Sequence, residues 1–235
     1  MLTASKIVEI FNELNLYLDE LTERNYEYKL MDELYEAVDR EMLPNFECFT
    51  GASKVVLHFE ETDFVIKVPF NGTEEACYED DGEFYDEYEF VPFNSAGGYW
   101  GDNCWDYCSI EVERFQAALD EKVDECFLET KYVGSVNNYP IYAQKFAEIY
   151  CYGDRDYEHS NKADDLNKTS SICSSHHVEC FHTNWLTDVR KYYGEEFLLK
   201  LLCFIKDYEI KDLHSENFGY INGRPIIIDY ASFDG

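Results

Sequence analysis

The stretch that most constrains this chain is Lys211-Asp212-Leu213-His214-Ser215-Glu216-Asn217-Phe218-Gly219, followed by Ile226-Ile227-Ile228-Asp229-Tyr230-Ala231. Asp212 is followed five residues later by Asn217, a short turn falls at Asn222-Gly223, and an apolar strand then ends in a second Asp, Asp229. Asp212 and Asn217 fit the two ends of one tight loop, and Asp229 arrives from the next hairpin strand. The layout predicts three oxygen-bearing side chains at the mouth of one cleft. The plain alternative is a surface turn with solvated acids in a chain full of acids. An Asp followed by an Asn would not separate the two readings; the second Asp closing an Ile-Ile-Ile strand makes the pattern more specific.

Composition bounds the partners. With 235 residues the chain suffices for one medium domain or two small lobes, and 46% apolar content with 20 Tyr and 17 Phe can fill a core. Nineteen basic residues against 49 acidic ones give a net charge of −30. Without a basic stripe to release counterions, such a chain is not expected to bind nucleic acid or an anionic membrane directly. It could occupy a basic groove on another protein, or the charge could serve solubility alone. Glu9, Glu13, Asp19 and Glu20 interrupt any export-type apolar run near the start, and no uncharged stretch approaches membrane-spanning length. The nine Cys read as reduced thiols in a cytoplasm, packing as small apolar groups.

Along the chain, residues 3 to 24 predict an amphipathic helix with Ile7, Ile10, Phe11, Leu14, Leu18 and Leu21 at helical spacing, capped by Thr3 or Ser5. A second helix is predicted over about 27 to 42, ahead of Pro44, the pair forming a helical extension over 1–45 that packs on the domain at 46–235. From Phe46 the period changes to strand, small-residue turn and strand around Gly51-Ala52-Ser53, then a third strand, Phe64 to Phe70. Lys67 is a lone cation inside that apolar strand, where burial is costly without a partner; the alternative is a lysine snorkelling from an edge strand. Residues 71 to 105 form an acidic insertion with acids and aromatics interleaved between Glu74 and Glu89, read as a flexible flap, a docking site for a basic partner, or a solvated loop. A helix is expected over about 106 to 126 with an apolar stripe of Ile110, Phe115, Ala118, Leu119 and Val123. A hairpin is expected across Asn137-Asn138. Residues 153 to 180 read as irregular; Cys173, His176, Cys180 and His182 lack standard knuckle spacing and read as incidental rather than as a zinc site. Trp185 to Tyr208 reads as a buried helix interrupted near Gly194.

The order of these features resembles the protein-kinase-like fold over about 46 to 233, whose signature runs H-R-D-L-x-x-x-N and then D-F-G. Within that group it is most similar to the early serine/threonine kinases of T-seven-type bacteriophages, on Val65-Ile66-Lys67, Asp212 to Asn217, Asn222-Gly223, and Asp229 with Ser232-Phe233. The resemblance implies an α+β, minimal two-lobe fold, with an antiparallel small-lobe sheet over about 46–147 and a truncated helical large lobe over about 148–235. It implies an ATP- and Mg2+-dependent protein kinase acting on serine or threonine of host proteins in the bacterial cytoplasm. Asp212 takes the place of the catalytic base, and Asn217 and Asp229 those of the magnesium ligands. Lys67 would grip the nucleotide phosphates, paired with Glu111 or else Glu113, of which Glu111 shares a face with core residues. Gly51, Ala52 and Ser53 would form the phosphate loop, a weaker version of the Gly-rich pattern, and Lys145, Phe146 and Ala147 the hinge that meets adenine.

The spacing suits phosphoryl transfer, which needs an acceptor hydroxyl held in line and phosphate charge neutralised by a hard cation with oxygen ligands. Asp212-Leu213-His214 also resembles the loop of aminoglycoside and choline kinases, whose small-molecule lobe has no counterpart in the remaining length. There are two departures. Ile210 stands where kinases carry the His of H-R-D, and no activation segment follows Asp229. The rival from another class is an acidic pseudokinase that inhibits a host nucleic-acid-binding or defence protein, docking through residues 74–89.

Overall fold

Thr3 sets the start of the first helix: in extended backbone, its hydroxyl accepts the Lys6 N–H at 3.3 Å. The computed structural model describes residues 2–18, 21, 26–51, 53–71, 73–80, 83–90, 106–152, 155–156, 161–177 and 181–231. The architecture is α+β, with a five-stranded antiparallel sheet and, among the described residues, six α-helices. The chain divides into two units, Met1–Ile110 with Thr130–Phe146, and Glu111–Glu129 with Ala147–Gly235.

The first unit contains α1 (Ala4–Glu13), α2 (Tyr26–Asp39), β1 (Phe46–Thr50), β2 (Lys54–Phe59), β3 (Phe64–Pro69), β4 (Thr73–Asp80), β5 (Glu83–Phe90), the start of α3 (Tyr107–Glu121), β6 (Thr130–Val136) and β7 (Tyr139–Lys145). The main sheet runs β1-β2-β3-β7-β6. Register and burial give its two faces different work. Val55, Leu57, Phe59, Ile66 and Val68 join Ile7, Phe11, Leu30 and Leu34 of the helices in one apolar core. The side chains between them, Lys54, Val56 and His58 on β2 and Val65, Lys67 and Pro69 on β3, alternate to the opposite face. Helix α1 reaches the sheet at Gly134, whose φ of +149° accompanies a register shift in β6 and whose missing Cβ would lie 2.9 Å from Val8 Cγ1.

Helix α1 ends at Glu13, not at 24, because Leu14 closes it and Asn15 turns the chain into the left-handed region at φ 53°. Leu16, Leu18 and Leu21 still enter the core from outside that helix. Asn137 and Asn138 take φ 49° and 67°, the two positive values that a tight hairpin between β6 and β7 requires, and Asn137 Nδ2 donates to the Leu16 carbonyl at 2.8 Å. The acidic insertion is not loop throughout. β4 and β5 form an eight-pair antiparallel ladder from Thr73↔Phe90 to Asp80↔Glu83. The Tyr and Phe content and the Asp81-Gly82 dipeptide are the sequence signals for such a pairing. Expectations for residues 91–105 lie outside the described residues.

The second unit holds the rest of α3, a 3-10 turn at Asp124–Cys126, β8 (Glu148–Ile149), β9 (Cys151–Tyr152), β10 (Arg155–Asp156), α4 (Ala163–Ser175), α5 (Thr183–Tyr193), α6 (Glu195–Asp207), a 3-10 turn at Ser215–Asn217, β11 (Phe218–Ile221) and β12 (Arg224–Ile227). β11 lies between β12 and β8. Its core gathers Trp185, Val189, Leu198, Leu201, Leu202, Phe218 and Tyr230. Gly194 separates α5 from α6 at φ 96°, as the interruption in the sequence predicts. Helix α4 was expected as irregular chain; Thr169, Ile172 and Cys173 give it a buried stripe that its Ser and Asn content hid. Leu119, counted in the α3 stripe, is 42% exposed, while Ala118 and Val123 are buried.

Asp165 of α4 receives Lys191 at 3.2 Å and Arg190 at 3.1 Å, and these two cations, Lys191 first, hold its carboxyl below the usual carboxylate range. A depressed folded-state value contributes stability above the unfolded value and loses it as pH falls through the folded value. Asp165→Asn should therefore lower the melting temperature at neutral pH, and the gap to wild type should close as acid titrates Asp165; an equal gap at all pH values would refute the ionic origin. Gly219 of β11 has no room for a side chain, since a Cβ would meet the Glu148 carbonyl oxygen at 2.3 Å and Ile228 Cδ1 at 2.7 Å. Gly219→Ala should cost about 1–3 kcal/mol by denaturant titration, and an unchanged midpoint would contradict this close approach.

Candidate functional site

The loop that carries Asp212 is set by the end of α6. Glu209 adopts φ 50°, the Ile210 N–H donates to the Ile205 carbonyl at 2.9 Å, and the Glu209 N–H to the Lys206 carbonyl at 3.2 Å. This is a Schellman ending, and it buries Ile210 in the same apolar cluster as Ile205. Ile210 thus anchors the loop by packing. Leu213 is buried on the other side of Asp212, whose own side chain stays 46% exposed. The apolar neighbours hold the backbone while the carboxylate faces outward.

Asn217 is the knot of the loop and is only 7% exposed. Its Nδ2 donates to the Asp212 carbonyl at 2.6 Å, its N–H donates to the His214 carbonyl at 3.0 Å, and its carbonyl accepts the Ile228 N–H at 2.8 Å. The last bond extends the β11–β12 ladder by one pair beyond Phe218↔Ile227. Asp229 follows directly. Beyond it, the Tyr230 hydroxyl donates to the Leu128 carbonyl at 2.7 Å, and Arg114 donates to the Tyr230 carbonyl and, at 3.2 Å, to that of Tyr208. The chain is therefore pinned on both sides of Asp229. With Nδ2 used in holding the loop, Asn217 Oδ1 is the atom suited to a hard cation, as are the Asp229 oxygens. These are the residues whose oxygens could hold magnesium.

His214 adds a group to which the sequence reading gave no role. Its Nδ1 accepts the Glu216 N–H at 3.4 Å, and its Nε2 lies 3.7 Å from Asp212 Oδ1. His182, at the start of α5 with φ 36°, is held below the usual imidazole range, first by burial and then by the charge of His214.

In the first unit Lys67 is 2% exposed, on the sheet face opposite the apolar core. Its register partner on β7 is Tyr142, whose hydroxyl donates to Asp106 Oδ2. Burial and that hydrogen bond push the Tyr142 hydroxyl far above the usual phenol range. Gly51 donates its N–H to the Lys54 carbonyl at 3.0 Å, and the Ser53 carbonyl accepts from the Phe70 N–H at 3.0 Å; Ala52 lies outside the described residues. Of the expected hinge, Lys145 is exposed and Ala147 buried. The Phe146 N–H is spent on the Asp63 carbonyl at 2.9 Å, which removes it as an adenine donor, and its ring stacks on His58 at 3.8 Å. Glu111 is fully buried and Glu113 exposed.

The structure brings Asp212, Asn217 and the Asp229 segment together through one loop and one hairpin. Cys173 is buried in α4, His176 and His177 are exposed, and Cys180, Ser232 and Phe233 lie outside the described residues. Among the described residues no group of three or more His, Cys, Asp or Glu is arranged to hold a metal ion. Among them, too, no helix is long and apolar enough to cross a membrane. Against protein-family models, curated proteins and solved structures the chain has no match.

Asn217→Ala removes the bond to Asp212. It should cost about 1–3 kcal/mol and speed amide exchange at residues 212–217 while leaving α6 protected. Unchanged exchange in the loop would show that Asn217 does not hold it.

Proposed function

We propose that the chain is an ATP- and magnesium-dependent phosphotransferase of protein-kinase-like type, with serine or threonine of other proteins as acceptors. The observation that carries this reading is the Asn217 knot. One residue ties the Asp212 backbone to the strand pair that leads to Asp229, while the Asp212 carboxylate stays 46% exposed.

In this reading Asp212 faces the acceptor hydroxyl and takes its proton as the oxygen attacks the terminal phosphorus of ATP, while the bond from that phosphorus to the β,γ-bridging oxygen breaks and ADP leaves. Asn217 Oδ1 and Asp229 would hold magnesium, which supplies neutralisation of phosphate charge when bound. Lys67 would meet the nucleotide phosphates, and Glu111 keeps the role that the resemblance implies. The buried position of Lys67 and the full burial of Glu111 support assigning them work beyond solubility. The spent Phe146 N–H means that adenine would be met by backbone groups of Lys145 or Ala147.

The test is transfer of labelled γ-phosphate from ATP with magnesium, alone and with a bacterial lysate. Wild type should label itself or lysate proteins. Asp212→Ala should lower the rate by about 100- to 10,000-fold, and Asp229→Ala should abolish magnesium-dependent transfer, both without loss of fold. If Asp212→Ala transfers phosphate like wild type, the role given to Asp212 is wrong. If wild type neither transfers phosphate nor is stabilised by ATP, the reading fails. An acidic inhibitor of a basic host protein, whose effect survives Asp212→Ala and is lost on deleting residues 74–89, then takes its place.

A further inference from the structure

The first unit's sheet buries a second lysine. Lys54 is 5% exposed, against 2% for Lys67, in a chain whose bases are outnumbered 49 to 19. A lysine at the start of a strand ordinarily carries its ammonium out to water. Lys54 does not, and its location is set by three features of the fold.

It is the first residue of β2, and its carbonyl accepts the Gly51 N–H at 3.0 Å. The β2–β3 register pairs Lys54 with Pro69 and Val56 with Lys67. Lys54 and Lys67 are therefore diagonal neighbours on one face of adjacent strands, a relation that separates residues by about 7–8 Å. Finally, the opposite face is committed to the apolar core through Val55, Leu57, Ile66 and Val68, so a slip of one residue that would move Lys54 across is excluded.

We propose that Lys54 is a second phosphate-binding residue, acting with Lys67 on the polyphosphate of the nucleotide from the shared sheet face beside the Gly51 turn. The proposal rests on the phosphotransferase reading and deepens it. The electrostatics call for such a group. A nucleotide triphosphate approaching a chain of net charge −30 is repelled, and two cations on a face shielded from water offset that repulsion where it matters most. Both lysines also have interactions within the protein. An ammonium carries three N–H donors, so a contact inside the protein and one to a phosphate oxygen are compatible. Asp106, joined to this face through Tyr142, contributes a buried carboxylate to the same surface.

The test is calorimetric titration of the full chain with ATP and magnesium, with inorganic tripolyphosphate, and with adenosine. Lys54→Met should weaken binding of ATP and of tripolyphosphate by about 10- to 100-fold while leaving adenosine binding unchanged, and Lys54→Arg should restore most of the loss. Circular dichroism and a melt without ligand verify the fold; should Lys54→Met not fold, Lys54→Gln replaces it in the same comparison. If Lys54→Met binds ATP as tightly as wild type while Lys67→Met does not, Lys54 is structural and this proposal falls, with the phosphotransferase reading intact. If wild type binds tripolyphosphate through both lysines yet transfers no phosphate, the phosphotransferase reading falls and the anion site stands. Binding of neither ATP nor tripolyphosphate by wild type overturns both.

Discussion

The arrangement of the second unit depends on the hydrogen bonds of Asn217. Its side-chain amide holds the Asp212 carbonyl, its N–H closes the short turn from His214, and its carbonyl continues the β11–β12 ladder to Ile228. One buried polar residue thus settles the loop conformation, the strand register and the place at which Asp229 leaves the sheet. Burial raises the stake: each of these groups would be costly to leave unsatisfied, so the loop has few alternatives to the observed form. The Schellman ending of α6 and the close approach at Gly219 supply the matching constraints on either side.

The first unit is governed by a different rule, the commitment of one sheet face to a core. The helices α1 and α2 cover the side carrying Val55, Leu57, Phe59, Ile66 and Val68. With that face filled, strand alternation fixes where the polar side chains go. Lys54, Lys67, Tyr142 and Gln144 share the other face, and all four are buried. Burying so many polar groups on one surface has a cost that only hydrogen bonds and opposite charges offset. The proposal that nucleotide phosphates meet this face rests on that cost.

The net charge of −30 acts on both units without shaping either fold. It is locally concentrated in the β4–β5 hairpin, where register places Glu74 opposite Glu89 and Asp80 opposite Glu83.

Local chemistry made much of this legible. The periodicity of α1, the Asn137-Asn138 and Asn222-Gly223 turns, the break at Gly194, and the Asp212, Asn217 and Asp229 spacing could all be read from the sequence, because each rests on residues within a few positions of one another. That Glu111 rather than Glu113 lies on a buried helix face also follows from helix periodicity. The end of α1 at Asn15, the helix hidden in the Ser- and Asn-rich stretch of α4, and the hairpin within the acidic insertion were misread there. In each, a cap, a buried stripe or a strand pairing outweighed composition. What only the tertiary structure decided is which groups meet across long separations in the chain: Phe146 spending its N–H on Asp63, Arg114 reaching the Tyr230 carbonyl, and Lys54 sharing a face with Lys67. Sequence by itself determined the local elements and the candidate residues, since those follow from short-range sterics and patterning. Strand order, register and burial determined which of them act together, because those depend on the whole chain closing its cores.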